Sequence, residues 1–133
     1  MNKKWRGIMK VLEVQHLRNN KVIWEDFNLY NMLHGEGQEI LLNAVFAGGS
    51  IPSYYYLGLD NRSSLDVEDN LASLLAEPSV NGYSRFTVNA ETDFTITADS
   101  AGNFKSQSIL LTFLASGGSW GPIRNLFMSS SLD

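Results

Sequence analysis

The feature that most constrains this chain is a pair of apolar runs joined by a short asparagine link. Ile8 to Leu17 is rich in Val, Leu and Ile. Arg18-Asn19-Asn20-Lys21 interrupts it, and Val22-Ile23-Trp24 resumes the pattern, followed by Phe27, Leu29 and Tyr30. Two β-prone runs separated by so short a polar link read as a hairpin. Asparagine is suited to the link because it tolerates the left-handed backbone that tight turns require. The chain therefore begins with local antiparallel pairing.

The period then changes. Between Glu36 and Phe46, Ile40, Leu41, Ala44 and Val45 fall on one arc of a helical wheel, with Glu36, Glu39 and Asn43 opposite. Leu42 and Phe46 widen the apolar arc, so this helix is expected to be buried on most sides, with Gly48-Gly49 as its stop. Tyr54 to Leu59 reads as a strand, ending in the turn-like Asp60-Asn61-Arg62-Ser63. A second short helix is expected from about Asp66 to Ala76. Asp66, Glu68 and Asp69 would sit in its first turn, Val67, Leu71, Leu74 and Leu75 would form its inner face, and Pro78 would end it.

Beyond Asn81-Gly82 the pattern is entirely β. Ser84 to Val88 and Asp93 to Ala98 are strands, and Asp99 to Asn103 is a turn. Ser106 to Ala115, apolar on both faces, is expected to be a central, doubly covered strand. Ile123 to Met128 opens one more. These elements predict a mainly β fold, a β-sandwich or jelly-roll-like domain with two short helices, with an α+β arrangement as the alternative. At 133 residues, with no internal repeat or linker, residues 1–133 read as a single domain, and residues 1–7 as a flexible or docking N-terminal arm.

Composition narrows the function classes. A net charge of -4 argues against a general nucleic-acid binder, which would normally be basic. The absence of cysteine excludes disulfides and thiolate zinc sites. Lys10 cuts off the apolar run that a secretory signal would need, and no stretch has the length of a membrane-spanning helix. The expectation is a protein made in a cytoplasm and not bound to membrane.

No constellation for catalysis emerges. His16 falls in the first β run and His34 in a loop, and neither stands in a context resembling a nucleophile and its base. Asp66, Glu68 and Asp69 lack the alternating spacing of a calcium loop, and a helix start accounts for them. Gly35-Glu36-Gly37 lacks the lysine of a phosphate loop, and Glu36 would repel a phosphate. The tyrosines at 54–56 have no basic cluster beside them, so base stacking is disfavoured relative to packing. The expectation is no enzyme, no catalytic or metal-binding residue and no cofactor. One segment differs from the rest: Lys3, Lys4, Trp5 and Arg6 read as a partner-contact arm anchored by Trp5, since Trp and Arg commonly carry interface energy.

Several segments taken together carry a resemblance. Asn31-Met32-Leu33 with Gly37, Tyr55-Tyr56-Leu57-Gly58-Leu59, Leu71-Ala72, Glu77-Pro78-Ser79, Gly82-Tyr83-Ser84-Arg85 and the run from Phe113 to Pro122 resemble small structural (virion) proteins of tailed bacteriophages. The likeness spans roughly Trp24 to Phe127. It implies a virion component, expressed in the host bacterial cytoplasm and ending in the particle. The reading that suits a small rigid fold without a catalytic site is a capsid decoration or cement protein, binding the major capsid lattice as a homo-oligomer, for which a trimer fits three-fold positions. Head–tail connector, tail and baseplate components are alternatives. So is a glycan- or host-receptor-binding module using Tyr54, Tyr56 and Trp120. The expected partners are phage capsid or tail proteins. Similar proteins continue past the equivalent of Ser129, so the last sheet edge is expected to be short or completed by a partner's strand.

Overall fold

The computed structural model describes residues 10–30, 35–66, 68–71 and 76–132. The chain is mainly β. In order, the elements are β1 (Lys10–Arg18), β2 (Lys21–Tyr30), α1 (Gly35–Phe46), β3 (Tyr54–Asp60), β4 (Phe86–Asn89), β5 (Phe94–Ala98), β6 (Phe104–Ser108) and β7 (Asn125–Ser129). They form three antiparallel sheets: β1-β2, β4-β3-β7 and β5-β6.

The first hairpin forms as its turn chemistry requires. Asn19 and Asn20 both take positive φ, 51° and 60°, the backbone of the two-residue turn that matches strand twist. A register shift at His16/Leu17 makes Ile23 the extra residue of a bulge. Opposed residues of an antiparallel pair share a face. Val11 with Leu29, and Phe27 opposite Glu13, therefore lie on one side, while Val14 with Asp26, and Trp24 opposite His16, lie on the other. The hairpin carries apolar side chains on both faces, interleaved with charged and polar ones.

The middle sheet is better built. β3 is its centre, paired with β4 from Tyr54↔Asn89 to Leu57↔Phe86 and with β7 from Tyr56↔Ser129 to Asp60↔Asn125. Tyr55, Leu57 and Leu59 share a face with Phe86, Val88, Leu126 and Met128. Across that face Phe94 meets Tyr55 edge-on at 6.3 Å between ring centroids, and Phe113 meets Phe86 at 6.3 Å. Among the described residues Leu57 and Val88 are the buried hydrophobic side chains, and Asp60 is buried with them.

The small β5-β6 hairpin is held by side-chain turns at both ends. Asp99 accepts from the amides of Ala101 and Asn103 at 2.9 Å, and Asn89 accepts from the amide of Glu91 at 2.8 Å. Hydrogen bonds from Asn103 and neighbouring amides hold the Asp99 carboxyl below its usual range.

Three expectations need correction or restriction. The central strand from Ser106 to Ala115 does not form: β6 ends at Ser108, and Leu110 and Leu114 are 88% and 78% exposed. The amide of Ile109 donates to the Asp93 carbonyl, closing the hairpin, and the amide of Ser116 donates to the Asn81 carbonyl. Residues 109–115 are thus an unpaired bridge between two tethers, and an apolar run cannot by itself distinguish that from a buried strand. Helix α1 is present and ends where Gly48 takes φ 67°, with Ala47 and Gly49 both donating to the Asn43 carbonyl. It is not buried on most sides, because Leu41, Leu42, Val45 and Phe46 are exposed. The second expected helix falls partly on residues 67 and 72–75, outside the described residues; within it, Asp69 donates its amide to the Asp66 carbonyl in a turn.

Candidate functional site

The most ordered constellation of side chains lies on the opposite face of β3, around Tyr83. Gly58 belongs to that face, and its missing side chain makes the site possible. A Cβ there would collide with the Phe127 ring and lie 2.9 Å from the Tyr83 hydroxyl oxygen. The phenol enters this gap and bridges two elements: it accepts from the Leu59 amide at 2.8 Å and donates to Glu77 Oε1 at 2.8 Å. Arg85 grips the same carboxylate with two parallel bonds of 2.8 Å, Nε to Oε1 and Nη2 to Oε2. Its Nη1 donates to the Leu132 carbonyl at 2.8 Å, and its guanidinium stands 5.2 Å from the Phe127 ring centroid.

The backbone around residues 81 and 82 positions this group. Asn81 and Gly82 take φ of 55° and 73°, and a Cβ on Gly82 would overlap Ser116 Oγ. The Asn81 carbonyl accepts from Trp120 Nε1 at 3.1 Å, and Asn81 Nδ2 donates to the Ser119 carbonyl at 2.7 Å. Trp120 then presses its edge to Tyr83, 5.4 Å between centroids. A hollow of about 240 Å³ beside Arg85, Phe113 and Trp120 is open to solvent.

The electrostatics follow from the contacts. The bonds from Arg85, joined by that from Tyr83, hold the Glu77 carboxyl below its usual range against the opposing effect of burial. Burial, with Glu77 beside it, pushes the Tyr83 phenol well above its ordinary value, so it stays neutral and serves as a donor. Each polar atom of the trio is engaged by another protein group. Chemically this is a latch joining segments distant in sequence.

A second ion cluster closes the C-terminal end of β3. Buried Asp60 accepts from the Arg62 amide at 3.0 Å and from Arg62 Nε at 2.5 Å, while Arg62 Nη1 reaches Asp69 at 3.1 Å. Asn125 Nδ2 donates to the Arg62 carbonyl at 2.8 Å, tying β7 into the cluster.

Of the residues singled out from sequence, Lys3, Lys4, Trp5 and Arg6 lie outside the described residues, as does His34. His16 is exposed on β1 opposite Trp24. Asp66 accepts from the Glu68 amide and Asp69 faces Arg62, so the acidic segment is organised by local hydrogen bonds and one arginine. Among the described residues no group of three His, Asp or Glu side chains could hold a metal ion, and no helix is long and apolar enough to cross a membrane. Tyr54 is about half exposed, and Trp120 is engaged edge-on with Tyr83. Sequence reasoning missed the role of Glu77, Tyr83 and Arg85. Their signal was present as Glu-Pro-Ser and Gly-Tyr-Ser-Arg, but no local pattern reveals that the two segments meet.

Comparison with known proteins finds no matching protein family, no similar curated protein and no similar solved structure.

Proposed function

We propose that this chain is a non-enzymatic structural subunit of a larger assembly, a tailed-phage virion component of the capsid decoration or cement type. The observation that carries the assembly reading is the inverted balance of apolar surface. Among the described residues two large hydrophobic side chains are buried, Leu57 and Val88, while twenty are exposed, Trp24, Phe27, Phe46 and Phe104 among them. A few scattered exposed apolar residues are normal, but clusters on several elements mark surfaces that other chains cover. The choice of particle rests on the likeness of the Tyr-Leu-Gly-Leu, Gly-Tyr-Ser-Arg and Phe113-to-Pro122 segments to phage structural proteins. The non-enzymatic reading is supported by the engagement of Glu77, Tyr83 and Arg85 with one another, which leaves that trio no free base or nucleophile.

In this reading the protein is made in the host cytoplasm and ends in the virion, with capsid or tail proteins as partners and the 1–7 arm as one contact. Antibody labelling of intact particles tests it, together with co-sedimentation on empty capsids and a glycan array. Label on the head with capsid binding and no glycan signal is expected. Label confined to the tail moves the chain to a connector or baseplate role. Absence from purified particles, or glycan binding without capsid binding, overturns the proposal.

A further inference from the structure

Residues 109–115 bridge β6 and the segment clamped to Asn81. Tethers hold both ends: the Ile109 amide donates to the Asp93 carbonyl at 2.8 Å, and the Ser116 amide donates to the Asn81 carbonyl at 2.9 Å. Between them none of the amides from Leu110 to Ala115 donates to another described residue, and no described strand pairs with this segment. Its side chains nevertheless alternate. Leu111 and Phe113 are half-buried, Phe113 against Phe86, whereas Leu110, Thr112 and Leu114 are exposed. A period of two is the signature of extended backbone. The bridge is thus a strand without a ladder, with two leucines turned outward. The turns at 89–93 and 99–103 also reach solvent, but Asn89 and Asp99 close them through side-chain bonds onto the amides of the turn itself.

We propose that this bridge is an endoproteolytic processing site, cut after Leu110 or Leu114 by an endopeptidase with an apolar pocket for the residue before the scissile bond. The inference goes beyond the assembly reading and does not depend on it. A protease binds its substrate as an extended strand, making to that backbone the bonds a neighbouring strand would make. A ladder strand or a closed turn must first unfold to be bound in this way. Residues 110–115 present the required backbone in the folded chain. Selectivity comes from the side chain that enters the pocket, and Leu110 and Leu114 are 88% and 78% exposed. In the reaction water adds across the peptide bond, leaving a carboxylate on Leu110 or Leu114 and an amine on Leu111 or Ala115. The two pieces stay together. The C-terminal piece keeps the β7–β3 pairing from Asn125 to Ser129, the Trp120 Nε1 bond to the Asn81 carbonyl and the bond from Arg85 to the Leu132 carbonyl. Scission removes the covalent link between β6 and the clamp and leaves the core around β3 in place.

The test treats the purified full-length chain with chymotrypsin, whose specificity pocket is an apolar slot, and identifies the fragments by intact mass. The first cut is expected after Leu110 or Leu114. Its rate, relative to that of a free peptide of the same segment, is expected to be unchanged by low urea, because a segment open in the native state needs no unfolding to be cleaved. The two fragments should separate on a denaturing gel and elute together under native conditions. The Leu110→Asp/Leu114→Asp variant replaces solvent-exposed side chains, so it should keep the urea midpoint of the parent. Its first cut should be about tenfold slower or more, since an apolar pocket rejects a charge. A first cut anywhere else, including after the inward-turned Phe113, overturns the inference. So does a relative rate that rises steeply with urea, an unchanged rate in the double variant, or fragments that part under native conditions.

Discussion

The β4-β3-β7 sheet and the β1-β2 hairpin are built from similar residues, yet they differ in how they are held. Both are antiparallel, both are rich in aromatic and branched side chains, and both carry apolar groups on more than one face. The sheet is closed on one side by Phe94 and Phe113 and on the other by the Tyr83–Glu77–Arg85 latch. Among the described residues the hairpin has its turn and its ladder and little else. Strand pairing satisfies backbone groups in either case, but stability at this size comes from what covers the faces. Stability within the chain should therefore be uneven, high around β3 and low at the hairpin until another surface covers it.

Substitutions can break or sharpen that contrast, beginning with Gly58. Gly58→Val drives a branched side chain into Phe127 and the Tyr83 hydroxyl, and is expected to cost about 3 kcal/mol or more in urea unfolding. A loss near zero would mean that the latch does not close over β3. Arg85→Ala is next. It leaves Glu77 with one of its two side-chain partners and should cost about 2 kcal/mol, less than a fully buried pair because both side chains retain some solvent.

Arg85→Ala should also alter the acid limb. The folded-state pKa of Glu77 is depressed, so its contribution to stability is present above the unfolded carboxylate value of about 4.3 and is lost as pH falls through the lower folded value. The variant should flatten that loss, read as urea midpoints between neutral and acid pH. Tyr83 works in the opposite direction: its raised pKa contributes stability that is present below pH about 10 and is lost as alkali ionises the unfolded phenol first. Tyr83→Phe should remove this alkaline dependence and cost about 1–2 kcal/mol, since the Leu59 amide and Glu77 each lose a partner. The smallest effect is expected from Trp24→Ser, less than about 0.5 kcal/mol on unfolding of the dilute chain. A large loss there would show that the hairpin is integral to the monomer and that the contrast between the two regions is false.

Local elements were legible in proportion to how local their causes are. The Asn19-Asn20 turn, the Gly48 stop of α1 and the Asp99–Asn103 turn are set by backbone preferences of the residues themselves, and each appears where the pattern places it. The segment from Ile109 to Ala115 was misread because its apolar composition suits a covered strand as well as a tethered bridge. The deciding bonds, to Asp93 and Asn81, come from elsewhere in the chain. The burial expected for α1 failed for a related reason: an apolar arc announces that a surface will be covered, without saying by what.

The sequence by itself determined where the chain turns and where the helix stops, because those choices depend on φ, ψ and side-chain period within a few residues. It also determined that the protein would be β-rich. Only the tertiary structure decided that Gly58 makes room for Tyr83, that Glu77 and Arg85 close over β3, and that Trp120 is engaged with Tyr83. The approach of Tyr83 to Gly58 and Leu59 and of Trp120 to Tyr83 joins residues tens of positions apart, and nothing in the composition of either segment encodes the distance between them.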